Sequence, residues 1–137
     1  MSTPIKIAVA EDNYRALQLI ENKIKRFSDL ELILTAENGQ VLIEKMQQLD
    51  ELIDLVLMDI QMPCMDGIQA TQQLKSLFPA TKIVALTTFS DDEKLVNMIL
   101  SGASGYLLKD ISSEDLHKSI LDVIQGGSSM SPSVAYK

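Results

Sequence analysis

One pattern limits the folds open to this chain more than any other, and it recurs five times. A short apolar run breaks off at a polar residue, and a segment follows whose apolar residues are spaced by three and four. The runs are Ile5 to Ala10, Glu31 to Ala36, Asp54 to Asp59, Lys82 to Leu86 and Gly105 to Leu108. Short apolar runs bounded by turn residues suit buried strands, and three-and-four spacing puts side chains on one face of a helix. Strands that alternate with helices are parallel and joined by right-handed crossovers, and strands without polar alternation imply a sheet covered on both faces. The expected fold is therefore α/β, a doubly wound sandwich around a five-stranded parallel sheet.

The helical segments have inward stripes and stop signals. Leu17, Ile20, Ile24 and Phe27 line the first, which breaks at Ser28-Asp29, and Leu42, Met46 and Leu49 line the second, after the Asn38-Gly39 turn. Ile68, Leu74 and Leu77 mark the third, closed by Phe78-Pro79. The fourth starts near Asp91-Asp92, sets Leu95 with Ile99 and Val96 with Leu100, and stops at Gly102. Ser112-Ser113-Glu114-Asp115 is the expected N-cap and first turn of the fifth, with Leu116, Ile120, Val123 and Ile124 inward. Residues 1–125 thus read as one domain, and the Ser- and Gly-rich stretch 126–137 reads as the start of a linker.

Composition narrows the partners. Nineteen acidic against twelve basic residues give a net charge of −7, which repels phosphate backbones and anionic lipids, so neither nucleic acid nor a membrane is an expected partner of this segment. The longest apolar runs fall far short of the roughly 20 residues of a spanning helix. The single cysteine allows no internal disulfide, and no signal-peptide pattern opens the chain, which points to the cytoplasm.

In an open parallel sheet, ligands bind beyond the carboxyl ends of the strands. Glu11 and Asp12 follow the first strand, Asp59 ends the third, Thr87 the fourth, and Lys109 follows the fifth. Three gathered carboxylates repel one another unless a hard cation sits among them, and Mg²⁺ takes one or two carboxylates with waters and phosphate oxygens. A carboxylate can attack phosphorus, an ammonium can neutralise a phosphoryl oxygen, and a hydroxyl can donate to another. The set therefore suits phosphoryl transfer with Asp59 as acceptor.

The motif Glu11-Asp12-Asn13, the run DLVLMDIQMPCMDG from Asp54 to Gly67, the pair Thr87-Thr88 and the run GASGYLLK from Gly102 to Lys109 together resemble the response-regulator receiver family. The resemblance covers residues 5 to about 125. It implies a CheY-like, flavodoxin-like fold with strand order 2-1-3-4-5. It also implies that a sensor histidine kinase phosphorylates Asp59. Asp12, Asp59 and the main-chain carbonyl of Gln61 would bind Mg²⁺, with Glu11 assisting through water. Thr87 and Tyr106 would form a switch that alters the face of the fourth helix, fifth strand and fifth helix. Such a chain is a phosphoacceptor that assists its own phosphorylation and dephosphorylation, not an enzyme acting on an outside substrate. The tail is similar to receivers of the NarL/LuxR class, which implies phosphorylation-dependent homodimers and DNA binding through a C-terminal helix-turn-helix domain outside this sequence. Two positions depart from the family: Asp110 stands where proline is common, which argues against the cis peptide often found there, and Cys64 stands where a small residue such as glycine is common, which would bring a thiol close to Asp59. Phe89 resembles a position that governs water access, which implies slow self-dephosphorylation.

Plainer explanations exist for each residue. Asp59 could cap a segment, Glu11 and Asp12 could be solvated, Thr87 could favour a strand end, Lys109 could be a surface charge, and Tyr106 could be core packing. His117 is expected on the exposed side of the last helix, without a phosphoryl or metal role. A haloacid-dehalogenase-type phosphohydrolase would need an aspartate where Gln61 stands. A flavin carrier would need a phosphate cradle where Glu11-Asp12 repel phosphate. A receiver that is never phosphorylated would not need the complete acid, hydroxyl and ammonium set.

Overall fold

The computed structural model describes residues 3–88, 92–126 and 129–130. The elements are β1 (Ile5–Ala10), α1 (Tyr14–Lys25), β2 (Leu30–Ala36), α2 (Gly39–Gln48), β3 (Leu55–Asp59), α3 (Gly67–Leu77), β4 (Lys82–Thr87), α4 (Asp92–Ser101), β5 (Gly105–Leu108), α5 (Ser113–Ile124) and β6 (Ser129–Met130). All strand pairs are parallel, and the sheet order is β2-β1-β3-β4-β5-β6. The first five strands have the expected flavodoxin-like order. The sixth is new: inside the stretch that reads as a linker, Ser129 and Met130 pair with Gly105 and Tyr106. Two residues carry no periodicity, so this strand exists only because the edge of β5 offers unpaired backbone groups.

Uninterrupted apolar strands bury side chains on both faces. Ala8, Ala10, Val56, Met58, Ile83, Ala85 and Tyr106 pack with Leu42, Ile43, Met46, Ala70, Leu74 and Met98 from α2, α3 and α4. On the other face Ile7, Val9, Leu55, Leu57, Val84, Leu86 and Leu107 pack with Ile20 and Ile24 of α1 and with Leu116, Ile120 and Val123 of α5. Each fully buried Leu or Ile contributes about 1.5–3 kcal/mol. A polar substitution in the middle of β3 would therefore unfold the domain before it reached the chemistry.

The helix stripes are mostly as expected, with Leu17, Phe27, Leu49, Ile68 and Ile124 partly buried at the margins of the two clusters. Leu77 departs from the expectation. It is 47% exposed, because it is the last residue of α3 and lies a turn beyond Leu74, where the packed face ends. Val96 and Leu100 do share a face of α4, but it is the outward one, at 53% and 79% exposure, while Met98 faces the core. Asp91 and the side chain of Leu95, both singled out in the fourth helical segment, lie outside the described residues, as does most of the stretch 126–137.

Short polar residues open the helices. Asn13, Asn38, Asp66 and Ser112 each accept a backbone N–H of the first turn, and Asp66 with Gln69 forms a reciprocal capping box. Gly102 closes α4 at φ +117, a conformation that side chains with a Cβ rarely adopt. His117 is half-buried rather than exposed: its ring stacks on Phe27 at 4.0 Å, and Nε2 lies 2.9 Å from Asp29, fastening α5 to the turn after α1. Among the described residues no helix is long and apolar enough to cross a membrane.

Cys64, in the loop between β3 and α3, is exposed and holds φ +68. A left-handed conformation costs an L-residue about 1–2 kcal/mol, more with a branched Cβ. Cys64→Gly is therefore expected to raise the urea midpoint slightly and Cys64→Val to lower it. Equal midpoints for the two variants would show that the loop is not strained there.

Candidate functional site

The site is assembled at the carboxyl ends of β1, β3, β4 and β5, where parallel register brings remote residues level. Asp59 is paired with Leu86 across β3 and β4, and Thr87 with Leu108 across β4 and β5. The backbone N–H of Glu11 donates to the Ala36 carbonyl at 2.9 Å, and that of Lys109 donates to the Thr87 carbonyl at 2.7 Å. These bonds fix the first residue beyond each strand. Lys23 of α1 also donates to the Lys109 carbonyl at 3.2 Å.

The side chains then converge. Glu11 is buried, its Oε2 accepts the Asn13 N–H at 3.0 Å, and its Oε1 is ion-paired with Lys109 Nζ. The same ammonium lies 3.3 Å from Asp59 Oδ2, so Lys109 bridges two carboxylates. Asp12 is exposed beside them, and Glu11, Asp12 and Asp59 can each offer an oxygen within 4.8 Å of the others. Burial, and then the nearby Glu11 charge, push the Asp59 carboxyl up to about 7 against the opposing pull of Lys109. Burial disfavours the charge on Lys109, but the Glu11 and Asp59 carboxylates outweigh it and raise its pKa. Lys109 therefore stays cationic while three acids crowd one place.

Two cavities are lined by residues of this cluster. One, of about 100 Å³, is lined by Asp59, Ile60, Gln61, Thr87, Thr88, Lys94 and Lys109. The other, of about 300 Å³, holds Glu11 and Asp12 with Tyr14, Thr35, Glu37 and Lys45 among its walls. The first cavity thus has two lysines and two threonines around a single acid, and the second has three acids and one lysine. The acidic cluster consists of hard oxygen donors without His or Cys, a set suited to Mg²⁺, Ca²⁺ or Mn²⁺ rather than to softer metals.

All the strand-end residues expected from the sequence meet here: Glu11, Asp12, Asp59, Thr87 and Lys109, with exposed Gln61 two residues beyond Asp59. Tyr106 is fully buried in the core that includes Ile83, Ala85, Met98 and Ala103. The Lys109–Asp110 peptide is trans, as are the other described peptides. Cys64 does not line the pocket at Asp59. Phe89, and with it any role in water access, lies outside the described residues.

Two contributors escaped sequence reasoning. Gly67 donates its N–H to the Ile60 carbonyl at 2.7 Å, and a Cβ there would lie 2.3 Å from the Asp59 carbonyl oxygen. Only a residue without a side chain lets α3 come this close to the end of β3. Lys94 enters the pocket from the first turn of α4, and the sole hint in the sequence was a cation where the helix dipole disfavours one.

The sequence profile of the response regulator receiver domain matches residues 7–121. The transcriptional regulatory protein LnrK of Bacillus subtilis (strain 168) is 37% identical over 128 residues, which are 93% of this chain and 57% of that protein. The chain thus spans a little over half the length of that relative. Among solved structures, a LuxR-family two-component response regulator from Aurantimonas sp. SI85-9A1 superposes with a TM-score of 0.89 at 24% identity, covering 98% of this chain and 94% of that one. The isolated receiver domain of RcsB from Salmonella enterica serovar Typhimurium, solved with the phosphomimetic BeF3-, gives 0.87 at 23% identity and covers 98% of both chains. These two likenesses concern the fold.

Proposed function

The chain belongs to the response regulator receiver family, and on that footing we propose that Asp59 accepts a phosphoryl group from a sensor histidine kinase. The observation that carries this is the Lys109 ammonium bridging Glu11 and Asp59 at the end of β3. An Asp59 carboxylate oxygen attacks phosphorus, an O–P bond forms as the P–N bond of the donor phosphohistidine breaks, and the imidazole nitrogen leaves with the electron pair. Lys109 and the Thr87 hydroxyl then face oxygens of the transferred group. Asp12, Asp59 and the Gln61 main-chain carbonyl would hold Mg²⁺, with Glu11 assisting through water, and a bound Mg²⁺ would neutralise charge on the phosphoryl oxygens. The domain acts as a phosphoacceptor that assists its own phosphorylation and dephosphorylation.

The consequence is a switch. Thr87 at the end of β4 and Tyr106 on adjacent β5 link the acceptor to the α4–β5–α5 face, and a charge change at Asp59 biases that face between two states. In a NarL/LuxR-type protein of the cytoplasm, residues 1–125 would form the receiver and 126–137 the start of a linker, whose Ser129 and Met130 pair with the edge of β5. Phosphorylation would then promote homodimers and control a helix-turn-helix domain that carries the DNA binding. The name of LnrK as a transcriptional regulatory protein supports this output. The net charge of −7 argues that this segment itself leaves DNA alone.

One sample tests both parts. Mg²⁺ with acetyl phosphate is expected to add one phosphoryl group, about 80 Da by composition, and chelation of Mg²⁺ to prevent it. Amide shifts are expected to change across β5 and α4 as well as near Asp59. An unchanged mass would refute the acceptor, and shifts confined to the loops around Asp59 would refute the switch.

A further inference from the structure

We propose that Lys94 is a second phosphate-facing cation of the Asp59 pocket, one that draws in and orients the anionic donor group; the inference rests on Asp59 being the phosphoacceptor. Three observations carry it. Lys94 lines the same small cavity as Asp59, Thr87, Thr88 and Lys109, whereas Glu11 and Asp12 line a separate one. The space beside Asp59 where phosphoryl oxygens would come to rest is therefore bounded by one aspartate, two lysines and two threonines, with Ile60 and Gln61. Lys94 is also half-buried, although it stands on a helix whose Val96 and Leu100 are exposed.

Its position in the fold completes the case. Lys94 lies in the first turn of α4, where a cation opposes the helix dipole and lysine is normally disfavoured. Lys109 is committed to Glu11 and Asp59, so its charge is already shared between two carboxylates before a donor arrives. A dianionic donor would meet net repulsion from the acidic cluster at longer range. A second lysine, brought to the same cavity by a different element, offsets that repulsion and gives a donor oxygen a contact besides Lys109.

The test compares the full chain with Lys94→Gln, Lys94→Arg and Lys94→Glu, following phosphorylation by intact mass with Mg²⁺ and either acetyl phosphate or phosphoramidate. Phosphoramidate carries less negative charge at neutral pH, so its need for the second cation is smaller. Lys94→Gln is expected to slow labelling by acetyl phosphate about two- to fivefold, the scale of a partly exposed ion contact. The loss should be smaller with phosphoramidate, larger in Lys94→Glu, and largely restored in Lys94→Arg. Equal rates in wild type and Lys94→Gln would overturn the proposal. So would an equal loss with both donors, which would mark a structural defect rather than a charge contact. Absence of labelling in the wild type would instead refute Asp59 as acceptor, so the two failures are told apart.

Discussion

Asp59→Asn is expected to abolish phosphorylation by Mg²⁺ and acetyl phosphate while leaving the domain folded. Asparagine has nearly the same shape as aspartate, so the end of β3 keeps its packing and its register with β4. The amide, however, lacks the carboxylate oxygen that attacks phosphorus. No neighbour replaces it, since Glu11 is ion-paired with Lys109 and Asp12 is exposed at the edge of the other cavity. The substitution also removes a buried negative charge from beside Glu11, so stability without divalent cations should not fall. Intact mass and a urea titration on the same preparation check both halves. A folded variant that still gains a phosphoryl group would move the acceptor to another residue.

Gly67→Ala is expected to damage stability and phosphorylation together. A Cβ at this position meets backbone: the Asp59 carbonyl oxygen at 2.3 Å and Ile60 Cα at 2.9 Å. No side-chain rotation relieves such a clash, so the start of α3 must retreat from the end of β3 and strain the Gly67 N–H to Ile60 carbonyl bond. Overpacking of this kind costs about 1–3 kcal/mol. The same retreat moves the backbone that carries Asp59, Ile60 and Gln61, and small displacements of reacting groups cost large factors in rate. Urea denaturation and the time course of labelling should both worsen. A variant with wild-type stability and wild-type labelling would show that the helix yields at no cost and does not position the site.

The architecture and the inventory of the site were legible in the order of the residues. Alternation of apolar runs with three-and-four spacing is a local property, set by side-chain direction along strands and helices, and it sufficed to imply parallel strands buried on both faces. It also put Glu11, Asp12, Asp59, Thr87 and Lys109 at strand ends, because each apolar run stops where the chain leaves the sheet. What those residues do to one another depends on the assembled fold. Sheet order and cross-strand register brought Lys109 between Glu11 and Asp59, since the distance between residues far apart in the chain depends on hydrogen bonds that no local pattern records. Assembly also selected which helix faces turned inward: α4 directs Met98 to the core and Val96 and Leu100 outward, because its neighbours cover only one side. The close approach at Gly67, the entry of Lys94 into the pocket and the pairing of β6 with β5 were settled in the same way, by which surfaces came within reach once the sheet had formed.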